Sequence, residues 1–260
     1  MKFKGLLVIF CLCFSNLYLD AASPHAYVKD NIWDQVEPFL IPDDHPVKEQ
    51  LDEIFFKKRA IVSIKSMEKA GFENVVPQRF THIIVTKHPE IPGYVFKVYL
   101  DAQRYYANKP EYYFYIKRAT GARKIQALLD EKDWNHQFKV PKKWIYVVPE
   151  EPSPPDELVR KNFILVEEDM DIYDNSTNCK YWKSDFVTKE LIERFHYIVY
   201  ELGLSDCAKP ANAPFSRDGR IAFVDTQTYD SWPISYYKIT PYLSKEIRSY
   251  WKKLIKTDKK

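Results

Sequence analysis

Apolar positions along this chain follow two periods, and the changes between them mark out its elements. From Pro46 to Ala70 the residues Val47, Leu51, Ile54, Phe55, Ile61, Ile64 and Met67 recur at helical spacing and stop before Gly71, which predicts one or two amphipathic helices. Arg79–Thr86 and Tyr94–Leu100 switch to strand character and are joined by a Pro- and Gly-containing hairpin loop. A long helix is expected from Pro110 to Lys132, with Gly121 as a mild interruption. Strands over Val140–Val148 and Phe163–Glu167 flank a stiff Pro-rich excursion at 149–155. Val187, Leu191, Phe195, Ile198 and Leu202 share one helical face, and Gly203 stands where a terminating glycine belongs. A short buried strand at Ile221–Val224 and a last helix over Leu243–Ile255 complete the pattern. Residues 24–45, broken by Pro and Asp, are expected to form a loosely attached arm.

The first residues follow another logic. Lys2 and Lys4 precede an unbroken apolar run from Leu6 to Phe14, and small residues Ala21, Ala22 and Ser23 follow. That run is too short for a bilayer, which needs about 20 apolar residues. The pattern is that of a secretory signal peptide over residues 1–21, and it places the protein outside the cytoplasm, secreted or extracytoplasmic, with membrane contact only during export.

Composition narrows the function classes. Hydrophobic residues make up 45% and aromatics 16%, enough for a substantial core, and the net charge of +3 gives no reason to expect nucleic acid. The lysines near the C-terminus read as a solvated helix face. Removal of the leader leaves Cys179 and Cys207, whose proximity sequence alone does not fix. No CxxC, HExxH or GxSxG occurs. The six glycines are scattered, so neither a GxGxxG fingerprint nor a P-loop is present. The five tryptophans from Trp134 onward are expected in packing roles.

One constellation carries chemistry. After the Val187–Leu202 helix come Asp206-Cys207-Ala208-Lys209-Pro210-Ala211-Asn212, then the turn Arg217-Asp218-Gly219, the apolar Ile221–Val224 and Asp225. Upstream, Lys97 sits inside Val95-Phe96-Lys97-Val98-Tyr99. These segments resemble the catalytic loop, the metal-binding aspartate and the strand lysine of the protein kinase-like superfamily. The resemblance covers residues 79–228. It implies an α+β, two-lobed, kinase-like fold with a reduced C-lobe and an N-terminal helical extension. Its expected parts are an arm and helical extension over 22–75, an N-lobe-like sheet with its helix over 76–170, and a helical part over 171–260.

The resemblance also implies a site. Asn212 and Asp225 would supply oxygen ligands for Mg2+, Lys97 would meet the phosphates of ATP, and Glu167 would lie on the strand leading to the nucleotide hinge. Asp206 would accept a hydroxyl proton. The sequence departs from the pattern at several points. Asp206 stands six positions before Asn212, where the kinase pattern has five, and strict alignment puts Cys207 at the base position. Asp225-Thr226-Gln227 lacks the usual Phe-Gly, no glycine-rich loop precedes Lys97, and the middle of the 110–132 helix offers only cations. These departures favour a non-catalytic pseudokinase that binds nucleotide or a protein partner. The alternatives are a Mg-ATP-dependent phosphotransferase and an unrelated exported α+β binding domain. The simplest structural alternatives are a solvent-facing Lys97, a surface Glu167, and Asn212 and Asp225 as caps of backbone groups.

Overall fold

In the computed structural model, which describes residues 24–79 and 81–258, helices and an antiparallel sheet combine in a mixed α+β architecture. The expected leader lies outside the described residues. The elements in chain order are α1 (Asp30–Val36), α2 (Pro46–Lys57), α3 (Ile64–Lys69), β1 (Ile84–Thr86), β2 (Tyr94–Val98), α4 (Glu111–Lys132), β3 (Phe138–Lys139), β4 (Lys143–Val147), β5 (Phe163–Glu168), α5 (Asn175–Lys183), α6 (Lys189–Glu201), β6 (Ile221–Ala222) and α7 (Lys245–Leu254).

Four strands form one sheet in the order β1-β2-β5-β4, every neighbour antiparallel. Alternation along the strands gives the sheet two buried faces. Phe96, Val98, Ile164, Val166 and Tyr146 face α2 and α3, where Val47, Leu51, Phe55 and Met67 cover them. Tyr99, Phe163, Leu165 and Ile145 face the other way and meet Tyr115 of α4 together with Val28 and Val36. The segment expected as a loose arm is therefore integral: α1 packs beside α4, and a ring nitrogen of His25 lies 3.1 Å from the Val148 carbonyl oxygen. The first strand is shorter than its apolar pattern predicts. Gln78 N–H donates to Ile83 O at 2.9 Å, and His82 adopts φ 58°, which ends extended geometry ahead of β1.

The second core is helical. The C-terminal half of α4 (Ile125, Leu128, Leu129), Trp182 of α5, Phe195 and Ile198 of α6, and Trp251 of α7 surround the parallel pair β3–β6. On α6, Leu191, Ile192, Phe195, Ile198 and Val199 are all buried, each contributing about 1.5–3 kcal/mol relative to exposure. The helix begins at Thr188, whose hydroxyl accepts the Leu191 N–H at 3.1 Å, and ends where Gly203 takes φ 59°. Thr188→Ala is expected to lower stability by about 1 kcal/mol. A urea midpoint unchanged from wild type would assign the helix start to packing alone. The lysines Lys252 and Lys253 of α7 are solvent-facing, as expected. None of the described helices is long and apolar enough to cross a membrane.

Candidate functional site

Strand register decides where the chemistry collects. Lys97 of β2 stands opposite Leu165 of β5, while Glu167 stands opposite Val95 on one side and Lys143 of β4 on the other. Period-two alternation puts Lys97, Glu167 and Lys143 on one face of the sheet, beyond the apolar patch under α4. Glu167 Oε1 lies 3.0 Å from Lys97 Nζ and 2.6 Å from Lys143 Nζ. Both lysines also donate to the Val224 carbonyl, at 3.0 and 3.2 Å. All three charged residues are buried, so Lys97 does not face solvent and Glu167 is not a surface charge. The solvent-facing alternatives for these two are thereby corrected: the flanking strands and the 223–226 segment cover them.

One carboxylate serving two ammonium groups shapes their protonation. Burial alone would raise the Glu167 carboxyl, but Lys143 and Lys97 outweigh it and hold the group below its usual range. Burial pushes the Lys143 ammonium down to about 7, with Glu167 opposing that fall and Lys97 assisting it.

The opposite wall comes from the stretch after α6. Asp225 follows β6, and Thr226, fully buried, fixes the chain there by donating its hydroxyl to the Arg118 carbonyl of α4 at 2.6 Å. The Arg118 guanidinium faces Asp225, with Nε 3.5 Å from Oδ1. Burial acts to raise the Asp225 carboxyl, yet Arg118, Lys97, Lys143 and Lys209 together hold it below the usual carboxylate range. Asn212 Nδ2 donates to the Asp206 carbonyl at 2.9 Å and to its carboxylate at 3.2 Å, and Val224 N–H donates to Asn212 O at 3.1 Å. Asn212 therefore does cap local backbone, but it does so on the wall of a cleft. Asp206 receives Lys209 Nζ and Lys238 Nζ, both at 2.6 Å. Partial burial works to raise its carboxyl, and these two lysines overcome that and lower it.

Lys97, Glu167, Asp206, Asn212 and Asp225, five residues separated by as much as half the chain, thus line one cleft of about 680 Å3. Its walls also include Ile83, Val85, Val95, Met170 and Ile172, and among the described residues that line it none is aromatic. Comparison with protein-family models finds no match, and comparison with curated proteins finds none either.

Sequence reasoning missed Lys143, Arg118 and Lys238. The carboxylate partner of Lys97 comes from the neighbouring strand, and α4 presents a cation where its partner was sought. Cys207, the residue at the strictly aligned base position, is fully buried and donates its thiol to the Asp225 carbonyl at 3.2 Å. Burial pushes that thiol far up, so it serves as packing and not as a base. Cys179 and Cys207 are both free thiols.

Among the described residues no group of three or more His, Cys, Asp or Glu is disposed to hold a metal ion. Asn212 and Asp225 offer hard oxygens, and Asp225 Oδ1 is buried without a hydrogen-bond partner. With four cations acting on Asp225, the pair suits a divalent ion that arrives with a polyanion supplying further oxygens, rather than a standing metal centre.

Proposed function

We propose that this chain is an exported, kinase-like, two-lobed protein whose cleft binds a phosphate-bearing nucleotide and which acts as a binding or scaffolding module without turnover. The observation that supports nucleotide binding is the convergence of Lys97, Asn212 and Asp225 on one cleft, with Glu167 behind the lysine and Asp206 at the rim. The volume falls within the roughly 300–1,000 Å3 of small-molecule sites. The lining combines aliphatic side chains, which suit a base, with cations, which suit phosphates. Asn212 and Asp225 are the residues that would hold Mg2+, which when bound would neutralise phosphate charge.

Two features support the absence of turnover. Asp206 is tied to two lysines that lower its proton affinity, which makes it a weak general base. The Arg118 guanidinium stands against Asp225, where a kinase keeps its metal ligand clear. A second reading, a Mg-ATP-dependent phosphotransferase with Asp206 as base, draws support from Asp206 and Asn212 sharing one cleft with Lys97 and Asp225.

Thermal unfolding with and without Mg2+ and ATP, beside Asp225→Asn, tests the proposal. A ligand that binds only the folded state stabilises it by mass action, about 2.7 kcal/mol at one hundred times Kd. A metal-dependent rise in Tm is expected, and it should be lost in the variant. No shift at millimolar ATP would sink nucleotide binding and leave a protein partner as the ligand to seek. If ATP binds and phosphate is released or transferred in an Asp206-dependent manner, the phosphotransferase reading replaces the pseudokinase one.

A further inference from the structure

Arg118 is a charged side chain whose surroundings, the Tyr99 phenol among them, satisfy it only in part. It lies in the middle of α4, 3% exposed, and lines the cleft. Its Nε and Nη1 are buried without a hydrogen-bond partner, and so is Oδ1 of Asp225, the carboxylate oxygen 3.5 Å away. A buried guanidinium this close to a carboxylate ordinarily shortens the contact into a charge-assisted hydrogen bond, because an unpaired buried donor is costly. Thr226 bonds the Arg118 carbonyl, and Gly121, one turn along the helix, abuts the Thr226 carbonyl, so α4 and the Asp225 segment are locked at a fixed separation. Arg118 lines the cleft together with Lys97 and Lys209 and keeps two donors that no protein acceptor takes.

We infer that Arg118 is an anion-binding residue of this cleft, taking a phosphate group of the ligand through its unpartnered N–H donors. The planar guanidinium fork matches phosphate oxygens, and a multiply charged anion answers the neighbouring ammonium groups as a single carboxylate does not. The inference rests on the nucleotide reading for its ligand class, but its chemistry needs only the phosphate.

Isothermal titration of the purified chain with inorganic pyrophosphate and, separately, with ATP, both in magnesium buffer, tests it. Wild type is compared with Arg118→Gln, Arg118→Lys and Lys117→Gln, the last removing the same charge one position away, off the cleft. Pyrophosphate affinity should fall about tenfold or more in Arg118→Gln, the change that loss of a hydrogen bond to a charged group produces. Arg118→Lys should retain part of the affinity, and Lys117→Gln should match wild type. If Arg118→Gln fails to fold, the Lys variant decides: it keeps the charge and loses the fork, so an undiminished affinity overturns the inference. Pyrophosphate binding that depends on Arg118 without any ATP binding would uphold the anion site and sink the nucleotide reading. ATP binding that is equal in wild type and Arg118→Gln would do the reverse. Binding of neither ligand to wild type overturns both.

Discussion

Glu167→Gln is expected to destabilise the protein by about 3–5 kcal/mol, the cost of leaving buried charge without its counter-charge. For a chain of this size that corresponds to a fall in Tm of about 6–20 °C. The argument turns on geometry: a single buried oxygen, Glu167 Oε1, takes Lys97 and Lys143 at 3.0 and 2.6 Å, and an amide cannot balance two ammonium groups. Adding Lys143→Met to the variant should recover a large part of the loss, because the doubly substituted site holds one fewer uncompensated charge. Urea unfolding of the two variants checks both statements, and a Glu167→Gln midpoint within error of wild type would refute the first.

The same triad gives wild-type stability a pH dependence whose sign follows from proton binding. Lys143 titrates near 7 in the folded state and at about 10 when unfolded. Between those values the unfolded chain holds a proton that the folded chain does not, so this residue makes stability rise with pH from about 7 to about 10. Below 7 both states are protonated and its contribution is flat. Glu167 acts at the acid end. Its folded-state value is depressed, so it stabilises above the unfolded carboxyl range and that stabilisation is lost as pH falls through the folded value. Removing Glu167 takes away its share of the acid limb, leaving those of Asp206 and Asp225, and moves the onset of the Lys143 rise to lower pH.

Much of this was legible in the sequence, and the omissions share a cause. Helices α2, α6 and α7 and the four sheet strands announce themselves because their buried faces are apolar and periodic, whereas α4 shows as a long stretch free of internal proline. Helix α5 does not. Its buried residues are Trp182 and Asn178, one turn apart, and Asn178 is held by hydrogen bonds, donating to Pro210 O at 2.8 Å and accepting Phe215 N–H at 3.0 Å. A polar residue buried by bonding leaves no mark on an apolar pattern. The site divides in the same way. Lys97, Asp206, Asn212 and Asp225 stand out through local spacing, whereas Lys143 and Arg118 look like ordinary surface charges. Only the pairing of β4 with β5 brings Lys143 to Glu167, and only the close approach of α4 brings Arg118 to Asp225. Neither juxtaposition is written in a window of neighbouring residues.

Gly121→Ala sets two local rules against each other. In an exposed helix the change would stabilise by about 1 kcal/mol, because alanine is the better helix former. Here an added Cβ would stand 1.9 Å from the Thr226 carbonyl oxygen and 3.0 Å from its carbonyl carbon. Both are backbone atoms, so no side-chain rotation relieves the overlap, and α4 must move away from the segment that carries Asp225. Overpacking of this kind costs about 1–3 kcal/mol or more and exceeds the propensity gain. A net loss of up to about 2 kcal/mol is expected, with the 2.6 Å bond from Thr226 to the Arg118 carbonyl broken or stretched. Because that bond also sets the separation of Arg118 from Asp225, the variant should lose ligand-induced stabilisation even at temperatures where it remains folded. Thermal unfolding with and without Mg2+ and ATP separates the two effects. A Tm above wild type would mean that helix propensity governs position 121, and that the helix and the Asp225 segment do not approach so closely.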